Sequence, residues 1–310
     1  MFVTMSMRSI VLALLLQAVA SAAGIVTDVR AAIAKKDFAA GESLIAAYRV
    51  QKGVTPEMIE AVSWLGRGAL AAKDYDKADD YAAQARKLAL AELANRKMDA
   101  EPHLPLALGA TQEVHALVLD ARGERGEAVS FLRAELAAYH DTSIRTRIQK
   151  NINVLSLEGK PAPVLEMAQW IGDQPTPLAQ LKGKPVLLFF WAHWCGDCKA
   201  EVKDIAKLVE TYGPKGLVLV GPTQHYGYVG KGQDATPEVE TPYIAQVREK
   251  YYAQLGTMTV PLSQENFKNF GASTTPTLVL LDRNGVVQLY HPGAMPYDQL
   301  AAKIAQVLGD

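Results

Sequence analysis

Cys195 and Cys198 are the only two cysteines in this chain of 310 residues, and they stand two residues apart within "FFWAHWCGDCKAE". Thiols at i and i+3 of a helix share one face and can close to bonding distance. A bond between them encloses so short a loop that chain entropy stabilises the fold little, which argues against a staple and for exchange chemistry. A helix N-terminus carries about half a positive charge and free backbone N–H groups, both of which stabilise a thiolate. On this reading Cys195 is the exposed nucleophile. Cys198, one turn deeper and facing inward, is the thiol that resolves a mixed disulfide. Glu201, three positions further on, lies on the same face beneath Cys198. A carboxyl group partly desolvated there has a raised pKa and can accept and return the Cys198 proton.

Such a site needs a strand behind it and a helix after it. "VLLFFW" (Val186 to Trp191) is an uninterrupted apolar run of strand length, suited to a strand covered on both faces. "KAEVKDIAKLVETYG" has helical spacing at Val202, Ile205, Leu208 and Val209, and "LVLVGP" reads as a second buried strand, so the three form a parallel β–α–β unit with a right-handed crossover. After the polar stretch "TQHYGYVGKGQDATPEVET" come a helix from about Pro242 to Leu255, a short strand at "TVPLS" and a short helix at "QENFKNFG". A hairpin turning at Asp282 to Gly285 and a closing amphipathic helix, "YDQLAAKIAQVL", complete the chain. This pattern predicts an α/β thioredoxin-like domain, a central mixed sheet flanked by helices.

Upstream, from about Gly24 to Leu157, the sequence is alanine-rich with helical period. Trp64, Leu65, Gly66, Tyr75, Ala78, Tyr81 and Ala85 resemble a tetratricopeptide unit, and weaker echoes place Gly41 and Ala128 where Ala78 stands. The expectation is an all-α array of helical hairpins, TPR-like, which can dock a protein partner or simply pack on its neighbour. Prolines and glycines between Ser156 and Pro185 mark the boundary. The predicted division is a leader over 1–22, the helical domain over 23–157 and the thioredoxin-like domain over 158–310.

Composition limits the partners. With 49% hydrophobic residues, 21% charged and a formal charge of -1, nothing implies a basic surface for nucleic acid. Arg8, the apolar run Ile10 to Ala20, and Ala20, Ser21 and Ala22 follow the order of a secretory leader, cleaved near Ala22 or retained as an anchor. The protein is thus expected to be exported and periplasmic.

From about Lys160 onward the chain resembles the TlpA/ResA-like branch of thioredoxin-fold thiol:disulfide oxidoreductases. "FWAHWCGDCKAE", "LKGKPVLLFFW", "STTPTLVLLDRNG" and the insertion between Pro222 and Thr257 carry the resemblance. It implies that Thr275-Pro276 holds the family's cis-proline, leaving the Thr275 backbone free to pair with an extended substrate, and that Trp194 walls the groove. It also implies protein thiol or disulfide substrates, apocytochrome c and copper-site cysteines among them, and recharging by a membrane thiol reductant. No cofactor beyond the cysteine pair is implied. Two departures matter: Phe189 stands where thioredoxin keeps a buried aspartate, which places more weight on Glu201, and Gly196-Asp197 replaces the common Gly-Pro. The charge of Asp197 opposes a Cys195 thiolate and so favours a reductase, whereas His193, if protonated, would pull the other way; a surface position is expected for it.

Three competing readings are weaker. Zinc on Cys195, Cys198 and His193 lacks a fourth ligand with paired spacing. A peroxidase would need proline and threonine where Leu188 and Ala192 stand. A helical-repeat adaptor with a secondary redox module would function without Cys195.

Overall fold

The structure, a computed structural model, describes residues 24–256 and 258–309. The expected leader lies outside the described residues. Seven helices come first: α1 (Ile25–Ala34), α2 (Phe38–Lys52), α3 (Pro56–Ala71), α4 (Tyr75–Leu93), α5 (His103–Ala121), α6 (Arg125–Ala138) and α7 (Arg145–Ser156). The pairs α1/α2, α3/α4 and α5/α6 are hairpins, each joined by three residues whose middle member is left-handed: Lys36 at φ 60°, Lys73 at φ 61° and Gly123 at φ 87°. Asp37 and Asp74 end the first two turns and cap the following helix by accepting from Ala40 N–H and Lys77 N–H. Gly41, Ala78 and Ala128 are all buried on the second helix of their hairpins, where small side chains allow close packing.

The second half contains β1 (Trp170–Ile171), β2 (Val186–Phe190), α8 (Gly196–Tyr212), β3 (Val218–Val220), β4 (Tyr228–Val229), β5 (Gln233–Asp234), α9 (Pro237–Tyr252), β6 (Val260–Pro261), α10 (Gln264–Phe270), β7 (Thr277–Leu281), β8 (Val287–Pro292) and α11 (Tyr297–Leu308). A four-stranded sheet runs β3-β2-β7-β8, parallel between β2 and β3 and antiparallel elsewhere, hence mixed as expected. All five residues of β2 are buried, because its side chains alternate between two cores. Leu187 and Phe189 join the side with Ile205, Ile244 and Ile304 from α8, α9 and α11. Val186, Leu188 and Phe190 join the other, with Phe267 and Phe270 of α10.

Helix α9 starts at Pro237 rather than at the expected Pro242, since a proline at the first helical position forfeits no intrahelical bond and the helix then carries Pro242 within it. Helix α8 starts at Gly196 with Cys195 as its N-cap, so the cysteine pair stands at the helix N-terminus, where it was expected.

The halves are joined through α7. Asn153 Nδ2 donates to the Phe270 carbonyl at 2.8 Å, and Tyr290 N–H donates to Glu158 at 3.1 Å. Gly271, which ends α10 at φ 61°, lies so close to α7 that a Cβ would meet the Lys150 backbone N and come within 2.7 Å of Gln149 C. Position 271 therefore needs glycine both for its backbone angle and for space. Gly271→Ala is expected to destabilise the protein by about 3 kcal/mol, read as a lower urea midpoint, whereas Gly126→Ala in open space on α6 changes little.

Candidate active site

Strand β2 delivers the chain to the site, and Trp191 anchors its exit. The indole Nε1 donates to the Gly221 carbonyl at 2.9 Å, while Thr223 Oγ1 donates to the Trp191 carbonyl at 2.9 Å. The turn that follows places Cys195 at the N-cap of α8. Cys195 and Cys198 are joined as a disulfide with Cα atoms 5.3 Å apart. The Cys198 backbone N–H donates to Cys195 Sγ at 3.0 Å, so one of the helix's free N–H groups is aimed at the sulfur that would carry charge.

Cys195 is less open than expected. Its residue exposure is 3% against 0% for Cys198. In the oxidised pair its sulfur is drawn toward Cys198 on one side, and on the other it lies 3.4 Å from the Thr275 carbonyl oxygen. Thr275 precedes Pro276 through a cis peptide bond, as the resemblance implied. Thr275 is half-buried and Pro276 buried, while Trp194 stands 49% exposed beside the pair with its ring 5.5 Å from that of Tyr226. Asp197 is exposed on the first turn of α8.

Glu201 is buried on the same helix. Its Oε1 accepts from Met295 N–H at 2.7 Å, and its Oε2 has no partner. Burial pushes its pKa up to about 7, the Met295 N–H opposes this, and the nearby charges of Asp204 and Asp197 add to it. The carboxyl can thus take up or release a proton near neutrality.

His193 is not at the surface. It is 1% exposed, with Nε2 3.2 Å from Glu240 Oε1 and the rings of Tyr226, Tyr228 and Tyr243 edge-on around it at 5.3 to 5.4 Å. Burial lowers its pKa against the opposing pull of Glu240, so the added positive charge considered from the sequence is disfavoured. Glu240, fully buried, also accepts from Tyr226 N–H at 2.6 Å and Gly227 N–H at 2.8 Å, tying the "HYGYVG" stretch to the loop before Cys195. Sequence reading missed Glu240. The available signal was a histidine and three tyrosines clustered around the cysteine motif and the insertion.

Among the described residues, no three His, Cys, Asp or Glu side chains are grouped so as to hold a metal ion. Leu188 and Ala192, where a peroxidase would need proline and threonine, are both buried.

Residues 159–290 match the AhpC/TSA family. With the mixed sheet, the helices on its two faces and the disulfide at a helix N-terminus, they form a thioredoxin-like domain preceded by a helical region. Among solved structures, the chain is similar to the thiol:disulfide interchange protein described as DsbE from Chlorobium tepidum (27% identity, 49% of this chain and 98% of that one, TM-score 0.38). MTB DsbF (22% identity, 48% and 98%, TM-score 0.39) and the exposed lipoprotein thioredoxin Etrx1 of Streptococcus pneumoniae (23%, 44% and 96%, TM-score 0.36) are likewise similar. TM-scores this low add nothing about function. No curated protein matches the chain.

The raised Glu201 pKa has a stability consequence. Stability linked to this group is intact below about pH 4.5, falls as the unfolded chain ionises while the folded carboxyl stays protonated, and reaches its floor above about pH 7. Glu201→Gln is therefore expected to raise unfolding free energy at pH 8 by up to about 3 kcal/mol and to leave it unchanged at pH 4, measured by urea titration at both values.

Proposed function

We propose that the protein is an exported, periplasmic reductase of protein disulfides working through the Cys195–Cys198 couple. The observation that carries this reading is the Cys198 N–H aimed at Cys195 Sγ beside the Thr275 carbonyl. In the reduced protein, the Cys195 thiolate attacks a substrate disulfide, forming a mixed disulfide and expelling one substrate thiolate. Cys198 passes its proton to Glu201, attacks Cys195 Sγ and releases the second substrate thiolate, which takes up the proton. Two electrons reach the substrate, and the pair is left as the disulfide seen here. A membrane dithiol donor would return it to the reduced state.

In this proposal Thr275 and Pro276 present backbone to an extended substrate, Trp194 forms the groove wall and Asp197 lowers the potential. The neutral state favoured for His193 supports the reducing direction, since it leaves Asp197 unopposed from that side. Residues 1–22 act as the leader, 23–157 as a helical domain offering a surface to protein partners, and 158–310 as the redox domain. Export is supported by the order of charge, apolar run and small residues in the leader.

Two measurements test the proposal. Cys198→Ser is expected to accumulate mixed disulfides on Cys195 in the periplasm, and Cys195→Ser to abolish both these and the cellular phenotype; a phenotype that survives Cys195→Ser points instead to an adaptor. Equilibration with glutathione is expected to give a potential below about -150 mV, and Asp197→His to raise it; a wild-type value above that limit contradicts the reducing assignment.

A further inference from the structure

The wall of the groove facing Trp194 and Thr275 is not supplied by the redox half alone. Ser143, two residues before α7, and Thr146, in its first turn, line the same cleft as Trp194, Tyr226 and Thr275. A second cleft, of about 710 Å³, shares Ser143, Ser273 and Thr274 with the first and continues along the helical region. Three cations meet there on one carboxylate oxygen. Glu113 Oε2 is 3.6 Å from Arg67 Nη2, 3.2 Å from Arg147 Nη2 and 3.1 Å from Lys150 Nζ. Among the described residues that line this second cleft Glu113 is the only acidic one against three cations, while the Asp99 carboxylate lies at its border, accepting from Ser143 N–H at 3.2 Å. Ser143 and Ile144, the two residues before α7, line the same space, and Arg67 Nε has no hydrogen-bond partner. Arg67 comes from α3, Glu113 from α5, and Arg147 and Lys150 from α7, so the packed helical array holds the charges in place.

We infer that the helical region is a specificity wall of the active site, and that the Arg67–Arg147–Lys150 cleft binds an acidic segment of the substrate polypeptide flanking the cysteine under attack. This rests on the exchange reaction proposed above. A substrate held along the Thr275 backbone can follow the shared border at Ser273, Thr274 and Ser143 into the cationic cleft. There its carboxylates would supply the counter-charge that a single Glu113 does not.

The test uses the full-length protein and three synthetic peptide disulfides of equal length, with the residues on either side of the cysteine acidic, neutral or basic. The acidic peptide is expected to react with about five-fold higher kcat/KM than the neutral one, the difference lying in KM and disappearing at about 1 M salt. In Arg67→Gln/Lys150→Gln, where Arg147 still neutralises Glu113, the acidic-to-neutral ratio is expected to fall to about one. Equal rates for the three peptides with wild-type protein overturn the inference, as does a ratio that survives in the double variant. The salt series on wild-type protein decides the matter even if the double variant does not fold. Failure to react with the neutral peptide and with a small aromatic disulfide alike would overturn the proposed exchange reaction, and the inference with it.

Discussion

The site depends on a sulfur at the mouth of a helix. Cys195 caps α8 with its side chain, receives the Cys198 N–H at 3.0 Å and is bonded to the thiol of the same helical turn. A first-turn amide aimed at sulfur costs nothing to arrange once the helix exists, because that N–H has no intrahelical partner. What must be arranged is the position of the helix start, and that falls to β2. Its side chains are locked into cores on both faces, and Trp191 and Thr223 fix the exit. The cysteine pair therefore stands on a rigid junction.

Around that junction the chemistry is divided between solvent and core. Trp194 and Asp197 stay exposed, while Glu201 and His193 are buried. Burial has opposite effects on the latter two. It holds the carboxyl of Glu201 protonated until near neutrality, and it lowers the pKa of the His193 imidazole against the pull of Glu240 beside it. Burial thus disfavours the charged form of both groups beside the sulfurs, and Glu201 can exchange a proton near neutrality. Glu240 is a structural pin. It binds two backbone amides of the insertion and the ring of His193 together, so the insertion is fastened to the active-site loop.

The helical region is joined to this machinery through close contact rather than a flexible tether. Gly271 against the backbone of α7, together with the Asn153 bond to Phe270, brings the start of α7 to the edge of the active-site cleft. A repeat array attached in this way has a defined position relative to the cysteines. That is what allows charges on α3, α5 and α7 to bear on a polypeptide bound at Thr275.

Much of this was legible along the chain because it is local. The apolar run of β2, the period of α8, the hairpin turning at Asp282 and the i, i+3 placement of Cys195, Cys198 and Glu201 are set by neighbours a few residues apart, where backbone geometry fixes which side chains share a face. The three helical hairpins were legible for the same reason, from small residues and short polar turns. The start of α9 was misplaced because a proline can both open a helix and lie within its first turns. The surface assignment of His193 failed because its partner, Glu240, lies 47 positions away, and the Thr275 carbonyl beside Cys195 lies 80 away. Periodicity carries no information about which distant segments meet. That is decided when the two cores close, and with them the buried histidine, the pKa of Glu201 and the cleft shared by the two halves.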